Sequence, residues 1–319
     1  MSTHQMAGLN FEPLQPEHYS RLKPFFGGQN LPLSAYSLAS LVAWSQCIFD
    51  TFFAIGDGAL LIAERRMDVP QIKHLLLPVA PSGLKPPEWL RDCATAAGYR
   101  EYHFIPHTYL ESFGVPAVER FFTITEEPEY EDYVYRVSDL AGLLGRDYAK
   151  KRNLVRQFER KYVDPGRVEV RTITPENAAD CLTCLEGWRA SRQGKDWTDV
   201  LECERQAIVK ALRNFHGCEL EGIAVSIDST VRGFGIGSRL TADTWVLNFE
   251  KASEQVKGLY QFLDRECARR LFPGTVYLNK ESDMGDAGLA KAKQSYGPAF
   301  RVKSFKLELR QTGGTASGI

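Results

Sequence analysis

Between residues 221 and 310 the sequence alternates between two periodicities in an order that few architectures accept. GIAVSIDSTVRGFGIGSRLTADTWVLNFEKAS reads as three β-type stretches in hairpin order, with turns at Asp228-Ser229 and Thr241-Ala242-Asp243. GLYQFLDRECARRLF follows as an amphipathic helix with Leu259, Phe262, Leu263, Cys267 and Leu271 along one side. TVYLNKES is a strand, GDAGLAKAKQSYG a short helix and FRVKSFKLEL a closing alternating strand. Strands and helices interleaved in this way imply a mixed α/β layer rather than a bundle.

The first half has the same grammar. PEHYSRLKPFF and LSAYSLASLVAWSQ carry helical periodicity, and CIFDTFFAIGDGALLIAERR predicts a hairpin turning at Gly56-Asp57-Gly58. IKHLLLPVAP is a short buried strand, and PPEWLRDCATAAGY a proline-started helix ending near Gly98. Between the halves, residues 126–132 carry five acids, and residues 150–161 carry six bases against one acid. Apolar residues at Leu140, Leu144, Tyr148, Val155, Phe158 and Tyr162 predict one long helix there, ended by Asp164-Pro165-Gly166. The expected organisation is a lobe over 1–137, a basic interdomain helix over 138–165, a second lobe over 166–311 and a disordered tail over 312–319.

Thirty-nine basic against forty acidic residues leave a net charge of −1, so a general electrostatic grip on nucleic acid is not expected. No apolar run approaches the about 20 residues of a membrane-spanning helix. The opening MSTHQMAGLNFEPL lacks the flank of a secretory signal. Seven scattered cysteines, Cys181-x-x-Cys184 among them, fit free thiols in a reducing cytoplasm, and no spacing predicts a metal site. All six histidines lie at or before residue 216, so chemistry in the last hundred residues runs without imidazole.

Gly233-x-Gly235-x-Gly237 alternates along a strand and lacks the strand-to-helix context of a dinucleotide loop. It leaves room for a ligand or for close backbone packing. The turn Gln255-Val256-Lys257-Gly258-Leu259-Tyr260 opens a helix, where free N–H groups and the dipole would favour an anion. It resembles the [Q/R]-x-x-G-x-[G/A] loop of the GCN5-related N-acetyltransferases at Gln255 and Gly258, and departs from it at Tyr260. Gly288-Leu289, Lys293, Tyr296 and Gly297 resemble the G-L-x-x-F-K-x-x-F-G motif of the Fem aminoacyl transferases, with Ala292 departing. VYLNKESDMGDAGLAKAKQSYGP and the Lys151-Arg152-Asn153 helix resemble the family related to the catalytic domain of phosphatidylglycerol lysyltransferases, best over residues 138–310.

The resemblance implies a bacterial, cytoplasmic or membrane-peripheral enzyme of two tandem acetyltransferase-like lobes joined by a long helix. It would move an amino acid from aminoacyl-tRNA to a lipid head group, peptide or small amine, with no tightly bound cofactor. The membrane-embedded part of the lipid-modifying members has no counterpart in this sequence. Alternatives are an acyl-CoA-dependent N-acyltransferase, or a binding scaffold of the same fold. The resemblance assigns Lys293 to the leaving ribose oxygen. Glu250 and Glu281 are the candidate bases, because a carboxylate raised by burial can accept a proton where imidazole is absent. Asn279 would orient the carbonyl, beside Asp283. Tyr277 or Tyr260 would pack on the aminoacyl group, and Gln255, Lys257 and Gly258 would form the anion loop. Lys151, Arg152 and Arg156 either track tRNA phosphates or pair with the acidic 126–132 run.

Overall fold

The computed structural model describes residues 9–192, 198–272 and 274–310; the tail expected over 312–319 lies outside them. Strands β1 (Glu12–Pro13), β2 (Phe49–Gly56), β3 (Ala59–Arg66), β4 (Lys73–Leu75), β5 (Glu101–Pro106) and β6 (Phe122–Glu126) belong to the first sheet. Strands β7 (Asp132–Arg136), β8 (Val168–Thr172), β9 (Glu221–Ile227), β10 (Thr230–Arg239), β11 (Thr244–Ala252), β12 (Tyr277–Asn279) and β13 (Phe300–Val302) form the second, and β14 (Ser304–Leu309) returns to the first. The sheet orders are β1-β2-β3-β4-β5-β14-β6 and β13-β7-β12-β11-β10-β9-β8.

Each lobe repeats one order: a strand, two helices, three antiparallel strands, a helix, a strand parallel to the last, and a further helix. The final strands are exchanged. β7 leaves the first lobe to sit between β12 and β13, and β14 leaves the second to sit between β5 and β6. Each exchanged strand satisfies backbone groups on both its edges, so neither sheet closes without chain from the other half.

The hairpin turns fall where Asp57-Gly58 and Asp228-Ser229 predict, and Gly98 ends the helix Pro87–Ala97 in the left-handed conformation at φ 71°. The 138–165 segment differs from expectation. It is two helices, Val137–Gly142 and Ala149–Phe158, the second continuing as a π turn over Glu159–Val163. Leu143 ends the first at φ 49°, and Gly145 at φ 85° turns the chain before the second starts. The apolar spacing held across this break because both helices pack on the helix Leu259–Arg270. Gly235 and Gly237 on β10 serve that packing too. A Cβ on Gly235 would strike Cys267 Sγ, and one on Gly237 would lie 2.9 Å from the Phe272 ring, so the stripe lets the helix lie close to the sheet rather than lining a ligand.

Cys47 and Cys203 are joined by a disulfide, against the expectation of seven free thiols; the helices Leu38–Trp44 and Asp199–Arg213 pack together and bring their Cα atoms to 5.5 Å. In a reducing compartment such a pair stands as two thiols. The other five cysteines are free. No helix among the described residues is long and apolar enough to cross a membrane.

Strand exchange has a measurable consequence. Ending the chain after Lys303 removes β14 and exposes the edges of β5 and β6. Calorimetry on the intact protein is expected to give one cooperative transition, and the shortened chain is expected to lose that transition and to aggregate. Two independent transitions in the intact protein would contradict this.

Candidate active site

β11 and β12 run parallel over only three residue pairs, ending at Val246–Asn279, and then part. Parting strands leave backbone groups unpaired and side chains converging, which is where ligands enter open α/β sheets. β11 also carries a bulge: Ile236 pairs with Phe249 and Gly237 with Leu247, so Asn248 has no partner in the register.

On one face of the gap Glu250 meets Lys280 at 3.1 Å, and Lys280 meets Asp264 at 2.8 Å with its ammonium 5.3 Å from the Tyr296 ring centroid. Burial pushes the Glu250 carboxyl up to about 7, although Lys280 pulls it down. Burial works against the Lys280 charge, but Asp264 and Glu250 more than offset it and hold its pKa well above the ordinary lysine value. Asp264 follows Tyr260 by four residues and precedes Cys267 by three, so a charge on the helix's apolar side was the sequence signal for it.

On the other face lie Glu281, Asp132, Ser40 and Asn248. Asn279 is fully buried and donates Nδ2 to Pro32 O at 3.1 Å and to Asp132 Oδ2 at 2.7 Å, while Oδ1 accepts the Glu281 N–H at 2.7 Å. Its amide is thus committed to the scaffold rather than free for a substrate carbonyl. Asp132 in turn accepts from Ser34 N–H and Oγ–H. With Gln29 Nε2 on Leu240 O, Ser37 on Ser238 and Asn248 Nδ2 on Ser40 Oγ, the 29–44 segment of the first lobe walls the second lobe's site. Nothing in the sequence pointed to Ser40 or Asp132, because their roles depend on which chain segments meet.

Lys293, on the helix Ala287–Gln294, donates all three ammonium protons to successive carbonyls: Lys280 at 2.5 Å, Glu281 at 3.0 Å and Ser282 at 2.6 Å. It therefore builds the loop after β12 instead of presenting a free proton to a leaving oxygen. Burial draws its pKa down to about 8, against Glu281 and Asp132. Burial pushes Glu281 up to about 8; Lys293 lowers it, and Asp132 and Glu204 raise it further. Asp283 is a scaffold residue, accepting from Tyr133 Oη–H at 2.7 Å and Gly285 N–H at 2.9 Å.

Gly258, the N-cap of the helix Leu259–Arg270 at φ 84°, is buried; a Cβ there would clash with the Leu154 carbonyl oxygen and lie 3.1 Å from Phe158 Cβ. The missing side chain makes room for the helix Ala149–Phe158, whose Leu154 carbonyl oxygen packs against Gly258. Gln255 and Lys257 are exposed beside it. Tyr260 is half-buried, its hydroxyl pushed up to about 12 by burial. Tyr277 sits at the start of β12, its ring packed on Phe300 and under Arg136, at the paired end of the strands rather than the parted end.

The basic helix pairs elsewhere than expected. Glu126 binds Lys303, Glu127 binds His103 and Glu131 binds Arg301. Lys151 donates to Ser295 O and Oγ, and Arg152 to Leu143 O and Gly145 O. Arg156 is exposed and lines a cavity of about 100 Å³ with Arg152, Glu159 and Arg265. No group of three or more residues able to hold a metal occurs among the described residues.

Repeated strand order, exchanged terminal strands and a parted parallel pair define a protein of two acetyltransferase-like lobes in tandem. The family described as phosphatidylglycerol lysyltransferase, C-terminal, matches residues 32–307, and the chain belongs to it. Among solved structures, the chain is similar to a conserved protein of unknown function from Bacteroides thetaiotaomicron at 25% identity, covering 95% of this chain and 100% of that one with a TM-score of 0.82. A C-terminal domain from Agrobacterium fabrum named for lysylphosphatidylglycerol synthetase is 13% identical over 91% of each chain, with a TM-score of 0.61. FemX is 9% identical over 93% of this chain and 97% of its own, with a TM-score of 0.52. The last two carry the fold alone. No curated protein matches the chain.

Two measurements test this geometry. Gly258→Ala is expected to lower unfolding free energy by more than about 2 kcal/mol, because both the positive φ and the Leu154 carbonyl oppose a methyl group. Glu250 binds its proton more tightly folded than unfolded, so its contribution falls as pH rises from the ordinary 4.5 to about 7. Wild type should therefore lose stability relative to Glu250→Gln across that window, by at most roughly 1.4 kcal/mol per unit. Parallel pH–stability curves would remove the assignment.

Proposed function

We propose that the protein transfers an aminoacyl group from aminoacyl-tRNA to an amine or hydroxyl acceptor in the gap between β11 and β12. Family membership supports the reaction class, and the buried Glu250 carboxyl, raised to about 7 where β11 and β12 part, carries the reading. A general base works best when its pKa lies near the working pH. Glu250 takes the acceptor's proton as the new bond to the carbonyl carbon forms. The ester bond to the ribose then breaks, and the proton passes to the leaving oxygen. Glu281 is the second candidate for this proton. Lys293 keeps its protons on the 280–282 carbonyls and lends its positive charge to the developing oxyanion.

The acyl-coenzyme A alternative draws less support from Gly258, because the Leu154 carbonyl oxygen packs against that glycine. Coenzyme A is accordingly expected to produce no thermal shift. Of the basic residues proposed for tRNA, Lys151 and Arg152 are engaged with backbone carbonyls, which leaves Arg156 as the outward member. Phosphatidylglycerol vesicles, peptides and soluble amines are the acceptors to compare.

In a charged-tRNA transfer assay Glu250→Gln is expected to cut kcat by about 10²- to 10⁴-fold and to abolish the acid limb of the pH–rate profile near 7. Arg156→Ala should weaken tRNA binding and flatten its salt dependence. Wild-type rates in Glu250→Gln would end the base assignment, and no transfer with any charged tRNA would end the donor assignment.

A further inference from the structure

The two lobes treat the same gap differently. In the first lobe the parallel pair β4–β5 is Leu75–Tyr102, and two residues further on stand Leu77 and Phe104. The fully buried Tyr36 bridges them: Leu77 N–H donates to its hydroxyl at 3.1 Å, and the hydroxyl donates to Phe104 O at 3.0 Å. In the second lobe the last parallel pair is Val246–Asn279, and two residues further on stand Asn248 and Glu281. Phe104 and Glu281 even share a left-handed backbone, at φ 56° and 60°. Where a tyrosine ring fills the first gap, the second is spanned by the hydroxymethyl group of Ser40, which touches both Asn248 and Glu281.

Asn248 is 5% exposed, and its Oδ1 has no hydrogen-bond partner. Its amide orientation follows from Ser40. Asn248 donates Nδ2 to Ser40 Oγ, and this leaves Oδ1 as the atom without a partner. A buried acceptor without a partner costs free energy that a donor would recover. The charges nearby have the sign to draw a cation. Asp132, Asp283 and Glu204 are carboxylates near Lys293 or Glu281, Lys293 and Lys280 are the neighbouring ammoniums, and a further ammonium beside Glu281 would favour its ionised form.

We propose that Asn248 Oδ1 and the Glu281 carboxylate form a subsite for a primary ammonium group, in the place that Tyr36 plugs in the first lobe. This deepens the transferase reading and rests on it. The ammonium is either the α-amino group of the carried amino acid or the amine of the acceptor. Asn248 is a specificity residue in this scheme, holding the substrate's nitrogen while Glu250 handles the proton.

Glycinamide, N-acetylglycinamide and ethylamine titrated into the intact protein, followed by calorimetry or amide chemical shifts, test it without tRNA. The free ammonium of glycinamide is expected to bind at least tenfold tighter than its acetylated form. Asn248→Leu should lose at least tenfold, whereas Asn248→Asp, which keeps the acceptor, should match wild type or exceed it. Ethylamine binding as tightly as glycinamide identifies the acceptor amine; weaker binding identifies the donor's α-ammonium. Equal affinity for both amides, no binding of either, or wild-type affinity in Asn248→Leu overturns the subsite. Ammonium binding without transfer from charged tRNA removes the donor and keeps the subsite. Transfer by Asn248→Leu with an unchanged KM removes the subsite and keeps the donor.

Discussion

Two parallel strands that part after a few residues leave backbone groups that no ladder can satisfy, and much of this molecule is arranged around that deficit. The first lobe meets it internally: Tyr36 gives its hydroxyl to both strands and closes the gap. The second meets it with Lys293, which takes three consecutive carbonyls, and Asn279, which takes the Glu281 N–H and anchors the 29–44 segment. One gap is filled by an aromatic ring, and the other is bordered by polar side chains. That difference distinguishes the two lobes.

The exchange of β7 and β14 makes the arrangement rigid. β7 brings Asp132 to Asn279 and Tyr133 to Asp283, so a strand from the first lobe supplies a wall of the second lobe's site. Tyr135 and Tyr148 hydroxyls and the Lys151 ammonium donate to the carbonyls at Lys293, Tyr296 and Ser295, which fixes the C-terminal end of the helix carrying Lys293. Fixing that helix fixes the ammonium, and through it the loop that presents Glu281. The residues that a motif comparison selects as chemical thus include several whose visible task is to hold others in place.

Local signals were read well where the physics is local. Hairpin turns at Asp57-Gly58 and Asp228-Ser229, the glycine end of the helix Pro87–Ala97 and the Leu259–Arg270 amphipathic face depend on a few adjacent residues. The expected single helix over 138–165 is two helices because apolar spacing survives a break: Leu143 and Gly145 turn the chain between two helices that rest on the same neighbour. The pairing of the basic helix with the acidic run was misread for the opposite reason. Charges find partners by proximity in space, and the acids of 126–131 lie nearer Lys303, His103 and Arg301.

The lobes' shared order of strands and helices, and the positions of Glu250, Asn279 and Glu281 beside the parallel pair, were legible from periodicity and turn chemistry, which act over short spans, while Lys293 was marked by a motif resemblance. Which strands change sheets, that Gly258 packs against the helix Ala149–Phe158, and that Lys293 donates its protons to backbone carbonyls came only with the fold. It also left Asn248 Oδ1 without a partner. These outcomes depend on distances between segments far apart in the chain, and hydrogen bonds and burial act on distance in space, which the order of residues does not record.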